Sequence, residues 1–415
     1  MSTKTITSNN LPKTDWPMSH AVKAGNWVFT AAMFPKDVAG AVIGKTPGRA
    51  DVEMQTEQCL TNIDHALAEF GVSRANVTKT KTYLADVRSK PRVDAVVASG
   101  WKKPFPARST IGSVMPVTDI ALQMEATACA SAAATEVRPA KPAGPAGVHA
   151  AGGTTAGDFF FSNGHASLDA KGNLVARGDI RGQVEQALDN LGEGLRAAGM
   201  DYSDVIKVNC TVPSWYGFMR YNEIYTKYFR EPFPARATIQ GRLCNEATLL
   251  EFEAVAAKGR EKVTVESVVT GIAHLSVKKR SDTVYVPGLP GAMAPHSHAV
   301  RVDDVVYICG QIPYEESGLM VGWGDIRAQT VKTMENHVLT MAALGGTVDD
   351  FVKTNVTVTE ESMVPVFLEE YAKYFKAPYP AMTIAVAGLA QDCMALEIEA
   401  VAVIGASQNK TCLVS

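Results

Sequence analysis

The chain writes one short stretch three times, and that repeat constrains its fold more than anything else in it. The copies are Pro104-Phe105-Pro106-Ala107-Arg108-Ser109-Thr110, Pro232-Phe233-Pro234-Ala235-Arg236-Ala237-Thr238 and Pro378-Tyr379-Pro380-Ala381-Met382-Thr383. Nineteen residues after the second Pro of each copy stands a Glu among apolar residues: Glu125, Glu253 and Glu399. Twenty-seven residues before that Pro stands a Lys (Lys79, Lys207, Lys353). At minus 44 and minus 51 stand Asn62, Asn190 and Asn336, then Gln55, Gln183 and Gln329. Such a joint register is the mark of an internal repeat, and it divides 415 residues into three like units. We place them at 11–135, 145–260 and 265–406.

Each unit has the same order of patterns. In the first, Asn26 to Ala32 reads as a hairpin strand, and Cys59, Leu60, Ile63, Leu67 and Phe70 recur at helical spacing until Gly71. Lys79 to Leu84 alternates as a strand with one wet face, Pro91 to Trp101 is a second helix, and Arg108–Met115 and Ile120–Ala130 close the unit. In the second, the helices fall at Val184–Met200 and Tyr221–Phe229; in the third, at Ala328–Leu344 and Val364–Phe375. Residues 131–146, rich in Ala and Pro, read as a linker, and residues 258–290 as a longer junction with a strand near Thr283–Val286. The fold class is therefore α+β, with helices on one face of each sheet. The other face also needs cover, and three like units bury it together as a single-chain pseudotrimer. Such a chain is expected to be monomeric.

Composition narrows the function classes. Apolar content of 46% and charge of 20% are those of a globular chain, and a net charge of -3 gives no basis for a nucleic-acid partner. Seven scattered Cys without a paired spacing read as reduced thiols. No apolar run is long enough to span a membrane, and Met1 to Asn10 is polar, without a signal-peptide core, so the expected location is cytoplasmic. The last four residues, Cys412-Leu413-Val414-Ser415, have the form that directs prenylation at Cys412; chance is the commoner source of so short a motif.

The units resemble the RidA/YjgF family of reactive-intermediate deaminases. Ser297-His298-Ala299-Val300 and Cys309-Gly310-Gln311-Ile312-Pro313 are similar to that family's S-Q-A-V and S-G-Q-I-P, and Pro-Ala-Arg at 106–108 and 234–236 to its P-A-R-S. All three units end on a strand like its I-E-A-[IV]-A, at Glu125, Glu253 and Glu399. The resemblance implies chorismate-mutase-like units with clefts between them, no cofactor and no metal. It also implies a small carboxylate-bearing substrate, held by the Arg, whose C=N bond is hydrolysed by a water that the Glu positions. A guanidinium fork suits a planar carboxylate. A carboxylate near an apolar strand can activate water, and backbone N–H groups beside the Gly can receive developing negative charge.

Carried over copy by copy, the second unit has the full set, Gly164, Arg236 and Glu253. The first keeps Arg108 and Glu125 but has Ala32 for Gly; the third keeps Gly310 and Glu399 but has Met382 for Arg. An alternative role for each periodic Glu is a scaffold contact. Histidines depart from the family: His20, His149 and His298 stand where it has Gln, and His165 follows Gly164. They are either hydrogen-bonded structural residues or general acid–bases. Lys102, Arg230 and Lys376 precede the repeat in each copy, as a solvated rim or as a lip that attracts anions. The expected function is a hydrolase for a C–N bond, by imine or enamine deamination or by amide or lactam opening. The alternative is a non-catalytic metabolite-binding or regulatory protein using the same clefts. Chorismate-type chemistry rests on shape alone.

Overall fold

The computed structural model describes residues 3–46, 49–143, 152–260, 263–268, 275–291 and 294–414. His149 and the end of the 131–146 linker lie outside these residues. Each unit pairs a long and a short helix with a mixed sheet. The helices are α1 Val52–Ala68, α2 Lys90–Gly100, α3 Ile180–Ala197, α4 Phe218–Tyr228, α5 Ile326–Ala343 and α6 Val364–Ala372. The long helix of each unit begins behind an Asp in identical register (Asp51, Asp179, Asp325), whose carboxylate accepts from an N–H of the first turn. Apolar residues at helical spacing then face the sheet: Cys59, Leu60, Ile63 and Leu67 in α1, and Val184, Leu188, Leu191 and Leu195 in α3.

The sheets share one topology. In the first unit Ala21–Ala24, Trp27–Thr30, Leu122–Cys129, Val77–Leu84 and Ala107–Gly112 lie side by side in that order, and Val77–Leu84 runs parallel to Ala107–Gly112. In the second unit Val205–Val212 is parallel to Ala235–Gln240, and in the third Phe351–Val358 to Ala381–Val386. A further strand precedes the hairpin of each unit and pairs with its first strand: Thr3–Thr7, Thr135–Val137 and Ser281–Val284. Two of these fall in stretches whose composition reads as leader and linker; both are short and polar, and their partners supply the pattern. The C-terminal strand Lys410–Val414 pairs parallel with Thr3–Thr7, so the third unit's tail completes the first unit's sheet.

The helix-free faces turn toward a common axis. Phe29, Phe161 and Tyr307 stand at equivalent positions there, in a central core with Ala107, Ala235 and Ala381. The three sheets stay separate ladders rather than one closed barrel. The wet face expected for Lys79–Leu84 is in fact this inner face, and the strand is buried along nearly all its length.

Candidate functional site

Strand alternation explains where the repeated Glu goes. Leu396, Ile398 and Ala400 point into the third unit's helix-packed core, so Glu397 and Glu399 share the opposite, inner face. Glu399 meets Lys207 of the second unit at 2.6 Å, and Asn209 Nδ2 donates to it at 3.3 Å. Glu125 takes Lys353 at 2.8 Å, Asn355 at 3.1 Å and the Thr383 hydroxyl, all from the third unit. Glu253 takes Lys79 at 2.9 Å and Lys81 at 2.6 Å from the first. Burial opposes the ionisation of Glu253, but its two ammoniums outweigh that and hold it well below the usual carboxylate range. The repeated Lys and Glu thus form a ring of ion pairs around the axis, each joining one unit to the next.

The clefts are built from two units each, and this regroups the expected sites. Gly164 N donates to Arg108 O at 2.9 Å, Gly310 N to Arg236 O at 3.2 Å, and Ala32 N to Met382 O at 3.1 Å. Gly164 therefore belongs with Arg108, and Arg236 with Gly310; Gly164, Arg236 and Glu253 do not form one site. These amides are spent on carbonyls and are not available for developing charge. The glycines supply space instead. A Cβ at Gly164 would collide with the Glu251 carboxyl, and one at Gly310 with that of Glu397. Glu251 and Glu397 occupy the position that is Gln123 in the first unit. The cleft between units one and two thus holds Arg108, Gly164 and Glu251, and that between units two and three holds Arg236, Gly310 and Glu397. The third holds Met382, Ala32 and Gln123, so both departures seen in the sequence fall in one place.

The two arginine clefts differ in charge balance. Arg108 is buried and pairs with Asp94 of α2 at 3.0 Å. Asn222 stands at the equivalent place in α4, and its Oδ1 accepts from Arg236 Nη1 at 2.9 Å. Arg236 packs over Phe218, Tyr221 and Tyr225, with 4.8 to 5.7 Å between guanidinium carbon and ring centres. Among the described residues no carboxylate lies within 4.0 Å of its guanidinium. A cavity beside it is lined by Trp215, Phe218, His296, Gly310, Met394 and Glu397, among others. Burial, then the Glu399 charge, pushes Glu397 up to about 8, against the pull of Lys207 and Arg236. Glu251 rises to about 7 by burial and the Glu253 charge.

The histidines divide. His298 accepts from Val286 N at 2.8 Å through Nδ1, and its Nε2 lies 3.2 Å from Pro290 O. His20 Nε2 makes the matching contact with Pro12 O at 2.9 Å, and His165 Nε2 lies 3.2 Å from Gly152 O. Burial lowers all three, His165 to about 4. His298 also lines the Arg236 cavity, together with His296, which was missed in the sequence; burial and the Arg236 charge lower His296 to about 3. Arg230, Lys102 and Lys376 are exposed, and none lines that cavity. The signals for the missed groups were present: Glu251 and Glu397 stand two before the repeated Glu, and Asn222 stands where the first unit has Asp94.

The family model described as endoribonuclease L-PSP matches residues 8–130, 142–258 and 288–404. Human 2-iminobutanoate/2-iminopropanoate deaminase is 35% identical over 99 residues, covering 24% of this chain and 72% of that protein. A RutC family protein of Pyrococcus horikoshii is 38% identical over 103 residues, covering 25% and 82%. A crystal structure of chorismatase superposes with a TM-score of 0.53 at 12% identity over 79% of this chain and 93% of that one, a likeness of fold alone. Three matches in tandem, each spanning two helices and five strands of one sheet, identify the chain as a member of the endoribonuclease L-PSP family, the RidA/YjgF family of the sequence resemblance, with three copies of its unit.

Proposed function

We propose that the chain hydrolyses the C–N bond of a small carboxylate-bearing imine or enamine, in the cleft between its second and third units. The observation that carries this is Arg236, a buried guanidinium seated on three aromatic rings beside the raised carboxyl of Glu397. Its charge is left for a ligand, and two parallel hydrogen bonds fix a carboxylate in one orientation. Imine deamination is also what the human relative's name describes.

In this scheme Glu397, neutral below about pH 8, protonates the imine nitrogen. The carboxylate so formed takes a proton from water as the water oxygen adds to the carbon. A proton then passes from the new hydroxyl to nitrogen, the C–N bond breaks, ammonia leaves and a carbonyl remains. Amide or lactam opening would use the same water. Glu125 and Glu253 have a scaffold role in this proposal, since their carboxylates are engaged by neighbouring units. Arg108 is held by Asp94, which makes its cleft the weaker one.

The test is turnover of short-chain 2-imino acids by Arg236→Lys. Lys keeps the charge and loses the fork, so kcat/KM should drop about a hundredfold, with an unchanged melting midpoint. Full activity in this variant would sink the proposal. Carboxylate binding lost with Arg236, in a wild-type chain that turns over nothing, would favour the metabolite-binding alternative.

A further inference from the structure

The axial ring of ion pairs is threefold except at one position. Lys79, Lys207 and Lys353 each donate to the main-chain carbonyl at one equivalent place in the next unit, Ser162 (2.7 Å), Ile308 (2.9 Å) and Thr30 (2.9 Å). Each also meets the Glu there. Two residues further along the same strand, the second and third units have Asn209 and Asn355, whereas the first has Lys81. These groups line one cavity on the axis. It holds four ammoniums against three carboxylates, Glu125, Glu253 and Glu399.

Lys81 is the surplus charge. Its side chain is 9% exposed and shares Glu253 with Lys79. Apart from that carboxylate, it has the ring of Tyr83 at 5.7 Å and no other protein acceptor among the described residues. An ammonium carries three donors, so two of them point to whatever occupies the cavity. A buried cation that outnumbers its counter-charges calls for another anion. A substrate cleft does not explain it, because Arg236 and Glu397 lie in a separate cavity.

We propose that the axial cavity is a binding site for one small monoanion, held by Lys81. An inorganic ion and a small carboxylate share the needed chemistry, a single negative charge that accepts from an ammonium in a space with apolar walls. The site is independent of the cleft chemistry.

Crystals of the full chain soaked in sodium bromide test it directly. An anomalous peak is expected on the axis within hydrogen-bonding reach of Lys81 Nζ, and it should be absent in Lys81→Asn. That variant installs the residue already present at 209 and 355, so the fold should tolerate it. In solution, bromide should raise the melting midpoint of the wild type by a few degrees, and the same series on Lys81→Asn should show at least about a tenfold weaker response. A second soak with sodium formate separates the sources: loss of the bromide peak assigns a carboxylate, and its persistence an inorganic ion. An axis holding only water in the wild type, or an equal peak and equal salt response in Lys81→Asn, would overturn the proposal.

Discussion

Arg108 and Arg236 sit on equivalent strands after identical Pro-Ala pairs, yet their surroundings give them different work. The Asp94 carboxylate pairs with Arg108 and offsets its charge, whereas the amide of Asn222 orients Arg236 without neutralising it. Asn222→Asp should therefore weaken binding of a carboxylate ligand by about ten- to a hundredfold, since a buried charge-assisted contact contributes about 1.5–3 kcal/mol; calorimetric titration measures it, and unchanged affinity would remove Arg236 from the site. Glu397 gives a pH dependence with a defined sign. Its pKa in the folded chain is raised to about 8 from an ordinary 4.5, so its contribution to stability is fully present below about 4.5 and is lost as pH rises through about 8. Glu251, raised to about 7, acts in the same direction. Glu397→Gln should thus gain stability over the wild type at pH 9, on the order of a few kcal/mol, while losing turnover. Wild-type kcat/KM should fall above about pH 8 as the acid form disappears. A flat profile through pH 9, or a variant no more stable there, would contradict the raised carboxyl.

At the scale of elements, the repeat's other fixed residues are clasps. Asn336 Nδ2 donates to Ile312 O at 2.9 Å and Tyr314 O at 3.1 Å; Asn62 and Asn190 do the same in their units. Gln329 donates to Gly322 O and Cys393 O, each at 2.8 Å, and accepts from Ala395 N at 2.7 Å, fixing the loop that delivers Glu397. Gln329→Ala should cost about 2–4 kcal/mol, at about 1 kcal/mol per bond plus the penalty for buried groups left bare; denaturant unfolding checks it, and a loss below 1 kcal/mol would mean that water replaces the amide. These clasps show what the sequence could and could not disclose. Helices were legible because their apolar spacing is local, and their ends lie within about four residues of expectation. The division of labour between Glu397 and Glu399 was not. Both lie on one face of one strand, and only the neighbouring unit decides which meets Lys207 and which meets the cleft. The strand Thr3–Thr7 was hidden for a related reason, since its partner Lys410–Val414 lies at the far end of the chain. That pairing also places Cys412 within a ladder, opposite Thr5, rather than on a free tail.

In the whole molecule, fusing three units lets each cleft change alone, and the changes are concentrated. Met382, Ala32 and Gln123 come from two different copies yet meet in one cleft, which thereby lacks the cation, the space and the carboxyl together. The Lys–Glu ring, by contrast, is kept at all three junctions, because losing one partner there would leave a buried charge unpaired, at a cost of about 3–5 kcal/mol. Assembly and the proposed cleft chemistry therefore place separate demands on the same inner face. The ring already closes within one chain, so light scattering should give a mass near 44.3 kDa. Titration with an unreactive carboxylate analogue too large for the axial cavity should then find one strong site among the three clefts, at Arg236. The Met382 cleft should bind nothing measurable, and the Arg108 cleft should bind weakly until Asp94→Asn releases its guanidinium, when a second site should appear. Three equal sites per chain would show that the charge differences among the clefts do not govern binding. A second site that stayed absent in Asp94→Asn, in a variant with an unchanged melting midpoint, would mean that some other feature of that cleft closes it.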